Sequence, residues 1–116
     1  MEFKQKQIWL INFDPSFGHE YRKVRPGLII EDSPFIQSGN LITVLPISSK
    51  TEKSVELDVY LARDGMNRLM KDSLIKTHQI SSFDKDRFIK YIGECEQQVF
   101  INLQENVKRY LGLKEK

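Results

Sequence analysis

The chain has 116 residues, 40% hydrophobic and 29% charged, with a formal net charge of +2 and a single cysteine. That length and apolar content fit one globular domain, residues 1–116, with room for one core. They exclude an internal disulfide, a globally basic nucleic-acid binder, and any apolar run near the roughly 20 residues a spanning helix needs.

The opening "MEFKQKQIWL" lacks the apolar run of a signal peptide, so a soluble cytoplasmic protein is expected. "IWLINF" (8–13) predicts a strand rich in β-branched and aromatic residues, stopped by Asp14-Pro15. Ten polar or special residues follow. Gly18 suits a positive φ or a close approach by a ligand. Arg25-Pro26 then opens a second strand, "GLIIED" (27–32), and Ser33-Pro34 with Ser38-Gly39-Asn40 make the next turn. "LITVLPI" (41–47) is a third strand; Pro46 cannot donate to a ladder, so it belongs at an edge or near the strand's end.

"SVELDVYL" (54–61) alternates, with Val55, Leu57 and Val59 on one face, and predicts a half-buried fourth strand. "ARDGMNRLMKDS" reads as a turn, and "LIKTHQI" (74–80) as a fifth strand. "SSFDKDRFIKYIGE" opens with a capping serine and an acidic first turn, predicting a brief helix that ends before Gly93. Residues 94–111 carry Val99, Leu103, Val107, Tyr110 and Leu111 at helical spacing, and Cys95 is expected as a small half-buried side chain on that helix. Five short strands followed by one amphipathic helix predict a mainly β fold, a small antiparallel barrel with short helices and a C-terminal amphipathic α-helix.

No metal-ligand spacing exists, because His19 and His78 stand far apart without a CxxC pair, and no cofactor is expected. The candidate chemistry lies in the charged connection and at the end of the third strand. Arg25 immediately precedes a proline, which holds it extended and pre-aims its guanidinium. Ser48 and Ser49 close the third strand with hydroxyls. A small barrel brings strand ends together on one rim, where Glu20, Arg25 and Ser48 converge. Such a set suits a phosphodiester: Arg offers paired donors to phosphate oxygens, Ser adds a hydrogen bond, and Glu can accept a proton from a ribose 2′-hydroxyl. Read alone, His19 is a surface loop histidine, and Glu20, Arg22 and Lys23 a solvated loop.

Together "IWLINFDPSFGHEYRKVRPGLII", "VLPISS", "KDSLIKTHQI" and "FDKDRF", in that order and spacing, resemble the MazF/PemK family of bacterial toxins. The resemblance covers residues 7–111. It implies an SH3-like barrel with a C-terminal helix, usually a homodimer. It implies a metal-independent, sequence-selective endoribonuclease that leaves a 2′,3′-cyclic phosphate and a 5′-hydroxyl, and an antitoxin partner whose acidic, disordered segment folds on binding. By motif, Glu20 resembles the general base, Arg25 the residue that stabilises the transition state, and Ser48 the usual threonine on the scissile phosphate. Arg25 fits charge stabilisation better than proton donation, since a guanidinium stays protonated. His19 or a water could protonate the leaving oxygen.

Single-stranded RNA would be met by Phe17, Tyr21, Arg22 and Lys23 from the first loop and by Ser49, Lys50 and Lys53 from the second, with Tyr21 as a stacking platform. Many members carry D-Q-[IP]-R-[TS] where this chain has "THQISS". His78 stands for the Asp and Ser81 for the Arg; Lys76 offers a substitute cation, His78 a base contact, and Gln79 keeps its place. Two rivals remain: a CcdB-type gyrase poison on the same barrel, and a non-catalytic SH3-like RNA- or protein-binding module.

Overall fold

The computed structural model describes residues 2–13 and 24–113. The expectations for Asp14-Pro15 and Gly18 lie outside the described residues. Three apolar runs form the centre of one antiparallel sheet: β1 (Gln7–Asn12), β2 (Val24–Ile29) and β3 (Leu41–Ser48). Part of each strand is buried on both faces: Gln7–Trp9 in β1, Gly27–Ile29 in β2 and Val44–Ile47 in β3. Ile8, Leu28 and Leu45 point into one core cluster, while their neighbours Trp9, Ile29 and Val44 point into a second.

A short helix, α1 (Ser33–Ile36), fills the connection read as a turn, and Ile36 seals the second cluster. Four further strands complete the sheet: β4 (Val59–Leu61), β5 (Ser73–Ile75), β6 (Ser81–Asp84) and β7 (Phe88–Glu94). Their order is β4-β5-β3-β2-β1-β7, with β6 also paired to β3. Pro46 sits where β3 changes partner from β6 to β5. Its carbonyl accepts from Lys76 N–H at 2.9 Å, so its ring nitrogen faces the break in the ladder and costs no strand bond.

Helix α2 (Gln97–Tyr110) lies over the first cluster. Phe100 and Leu103, one turn apart, are buried there with Val99 and Val107 beside them. Burial of each large side chain contributes about 1.5–3 kcal/mol. On the other side Phe3, Trp9, Phe88 and Tyr91 form an aromatic cluster, with ring centroids 4.6–6.2 Å apart.

The sheet curls until β7 contacts the β4–β5 connection. Glu94 N–H on β7 donates to Met66 O in the β4–β5 connection at 3.0 Å. Gly93 permits this contact: a Cβ there would lie 2.5 Å from Met66 O and 2.6 Å from Asn67 O. Among the described residues no helix is long and apolar enough to cross a membrane.

Three further expected elements and one residue differ. The strand over 54–61 shrinks to Val59–Leu61, because Asp58 captures Val55 N–H at 2.9 Å in a turn that puts Leu57 at φ 76°. The strand over 74–80 ends at Ile75, and a 3₁₀ turn, Thr77–Gln79, follows. The brief helix before Gly93 is instead β6, a 3₁₀ turn capped by Asp84, and β7, since pairing with β3 and β1 overrides local propensity. Cys95 is buried in the link before α2, not on the helix, and its N–H donates to Lys6 O at 3.0 Å.

Candidate functional site

A groove of about 940 Å³ opens where β1, β2, the end of β3, the β4–β5 connection and β7 come together. Leu10, Pro26 and Ile47 give it an apolar lining. Six cationic side chains, Arg25, Lys50, Lys53, Arg68, Lys71 and Lys90, surround them, and the described lining holds no carboxylate. An apolar concavity ringed by one sign of charge focuses an attractive field for anions.

Arg25 stands on β2 opposite Ile11. Its guanidinium carbon lies 5.8 Å from the centre of the Phe13 ring, a cation–π contact that restrains it further. Pro26 fixes the backbone one residue on. Ser48 ends β3, paired with Leu74. Its Oγ accepts from Lys50 N–H at 3.1 Å, and a hydroxyl that accepts there keeps its own proton to donate. Arg25 and Ser48 both line the groove, with Ser49, Lys50 and Lys53 beside them. Phe17, His19, Glu20, Tyr21, Arg22 and Lys23 lie outside the described residues.

Lys76, His78 and Gln79 are not among the groove's described lining residues. Lys76 is buried, and its Nζ lies 2.6 Å from Asp58 Oδ2 and 3.3 Å from Lys53 O. Its ammonium thus anchors the 50–58 segment that carries Lys50 and Lys53 into the groove, and is not available to a ligand. His78 is half-exposed, with Nδ1 3.8 Å from Asp58 Oδ1; Gln79 is exposed. Asp58, fully buried at its carboxylate, is a structural residue that sequence reasoning passed over as one half of an alternation.

Arg68, Met70, Lys71, Lys90 and Tyr91 were also missed. The first three belong to "ARDGMNRLMKDS", where Asp64-Gly65 signalled only a turn, and Lys90 and Tyr91 to the segment read as a helix. The stem of the β4–β5 connection is fixed by Asp72, which accepts from Tyr60 OH and from Arg63 N–H, each at 2.9 Å. The Tyr60 hydrogen bond to Asp72 raises the phenol above its ordinary range. Asp72 is held below the usual carboxylate value, first by Arg63 N–H and then by Tyr60.

Residues 4–111 match the family model described as PemK-like, MazF-like toxin of type II toxin-antitoxin system. Endoribonuclease PemK of Escherichia coli is 35% identical over 48 residues, which span 41% of this chain and 36% of PemK, so the match covers about a third of that curated relative. Among solved structures, MazF from Deinococcus radiodurans superposes with a TM-score of 0.79 at 20% identity, covering 97% of this chain and 98% of that one. A chain of MazE-MazF from the same organism gives 0.82 at 19% identity, covering 98% and 99%. At these identities the likeness concerns the fold.

Proposed function

Because the chain belongs to the PemK-like, MazF-like toxin family of type II toxin–antitoxin systems, we propose that it is a sequence-selective, metal-independent endoribonuclease. Its substrate is single-stranded RNA, mRNA above all, and its cutting arrests translation and growth in the cytoplasm. The observation that carries this reading is that Arg25 and Ser48 both line a groove that holds six cationic side chains.

The reaction is a transesterification. Glu20 takes the proton of a ribose 2′-hydroxyl, and the freed oxygen attacks the adjacent phosphorus. The bond to the 5′-oxygen breaks, leaving a 2′,3′-cyclic phosphate and a 5′-hydroxyl. A positioned base typically contributes about 10²–10⁴-fold. Arg25 meets the charge that builds on the phosphorane, and one pre-aimed donor of this kind is worth about 3 kcal/mol. Ser48 Oγ–H holds a non-bridging oxygen. His19 or a water returns a proton to the leaving oxygen.

An antitoxin supplies the second partner. A MazE-MazF assembly is among the similar structures, and an acidic segment that folds on binding suits a groove of this charge. Such a segment and RNA compete for one surface, on a toxin that acts as a homodimer.

The test is incubation of purified protein with mixed single-stranded RNA in EDTA, with the ends mapped. Cleavage leaving a 5′-hydroxyl, lost in Arg25→Ala and in Glu20→Ala, is expected. A parent protein that cuts nothing, or undiminished cutting by both variants, sinks the reading.

A further inference from the structure

The β4–β5 connection, residues 62–72, is fixed far more tightly than a surface loop needs. Asn67 is 1% exposed. Its Oδ1 accepts from Asp64 N–H at 3.1 Å and Leu69 N–H at 3.0 Å, while its Nδ2 donates to Ala62 O at 2.9 Å. Asp64 Oδ1 in turn accepts from Met66 N–H at 2.9 Å and Asn67 N–H at 2.7 Å. Behind the loop, Glu94 N–H holds Met66 O. These bonds force Arg68 to φ 55°, a region few residues with a side chain adopt.

The outcome is that Arg68 stands exposed on a rigid backbone at the groove wall. Its backbone N–H is used, bonded to Asp64 O at 2.9 Å. Its guanidinium makes no ion pair among the described residues, whereas Arg109 reaches Glu56 and Arg63 reaches Leu69 O. A guanidinium carried on a fixed backbone at the wall of a cationic groove, without an ion pair among the described residues, matches one chemistry best, the paired oxygens of a phosphate.

Building on the endoribonuclease reading, we propose that Arg68 is a strand-positioning contact: it holds a backbone phosphate of the bound RNA other than the scissile one, which Arg25 and Ser48 take. The β4–β5 connection then fixes the path of the strand across the groove. A contact to phosphate is indifferent to base identity, so Arg68 sets affinity and register while other residues read the sequence.

The test uses a labelled, mixed-sequence 2′-O-methyl RNA, which no 2′-hydroxyl attack can cut, and measures binding by anisotropy across a KCl series. Arg68→Gly removes the side chain and also accepts the positive φ, so the loop keeps its shape. Expected is an affinity loss of about tenfold at low salt, and a salt slope shallower by about 0.7, the loss of one phosphate contact on a single strand. Arg68→Lys restores the slope. An unchanged affinity and slope in Arg68→Gly overturns the proposal, and so does a parent protein that does not bind the strand. Cleavage by the parent and by Arg25→Ala is scored separately on cuttable RNA. A protein that binds but never cuts therefore removes the enzymatic reading alone, and leaves the Arg68 result to stand or fall on binding.

Discussion

Lys76 Nζ and Asp58 Oδ2 meet at 2.6 Å, with side-chain exposures of 9% and 0%. A pair taken this far out of water depends on both partners. Removing one leaves a buried charge unmatched, at a cost of about 3–5 kcal/mol, whereas replacing both with apolar residues of similar volume is often neutral. Lys76→Met is therefore expected to lower the melting temperature by about 3–6 °C per kcal/mol lost. The double variant Asp58→Leu with Lys76→Met should recover most of that loss. A single variant that melts with the parent protein would show that the pair does not hold the 50–58 segment.

Gly93 answers to a different constraint, the contact between β7 and the β4–β5 connection. A methyl group there meets two backbone carbonyl oxygens, neither of which can rotate away. Gly93→Ala should destabilise by about 1–3 kcal/mol, as overpacking does. Chemical denaturation with an unchanged m-value is the measurement. Equal midpoints for variant and parent would contradict the closeness of Met66 and Asn67.

Ser48 has one task within the fold and, in the proposed reaction, a second toward substrate. Ser48→Ala removes the acceptor for Lys50 N–H and, in the proposed reaction, the hydrogen bond to phosphate. Cleavage should fall about tenfold, the worth of one hydrogen bond to a charged group. Ser48→Thr keeps the hydroxyl and adds rotamer restriction, so it should cut RNA at close to the parent rate. If Ala and Thr behave alike, the hydroxyl has no part in the reaction.

Cys95 offers a test by pH. Burial is the main cause pushing its thiol from the ordinary 9.0 up to about 12, with Glu96 adding to the shift. A raised pKa means the folded state prefers the protonated thiol. The stability this implies is complete below pH 9 and is lost as pH rises toward 12. Native protein at pH 8 should resist alkylation by iodoacetamide and react only after unfolding. Rapid labelling of the native protein would contradict the burial.

The sequence was most legible where chemistry and local geometry coincide. Arg25 before Pro26 and Ser48 at a strand end declared both their type and their fixed position. The central strands were legible because apolar runs such as "VLPI" (44–47) leave little choice but burial on both faces. β7 was not legible: its burial pattern lacks clean alternation, since the β1–β7 register shifts between Ile8 and Trp9 and again between Leu10 and Ile11. A bulge of that kind erases the two-residue period on which a strand reading depends. Asp58 and Lys76 were misjudged for a related reason. Each looks like a surface charge until the fold brings them together. The weight of Arg68 likewise rests on Asn67, whose side chain anchors three backbone groups, a role no motif signals.

The pairing of Ile8 with Gly93 carries a consequence for biosynthesis. One wall of the groove comes from the start of the chain and another from its last strand, so the most distant contacts in sequence are the ones that complete it. Such contacts form late, because their loop entropy is repaid only after the intervening segments have ordered. A nascent chain emerging from the ribosome has Arg25 and Ser48 long before it has Lys90. It therefore acquires a complete groove only once β7 has been released and has docked against β1.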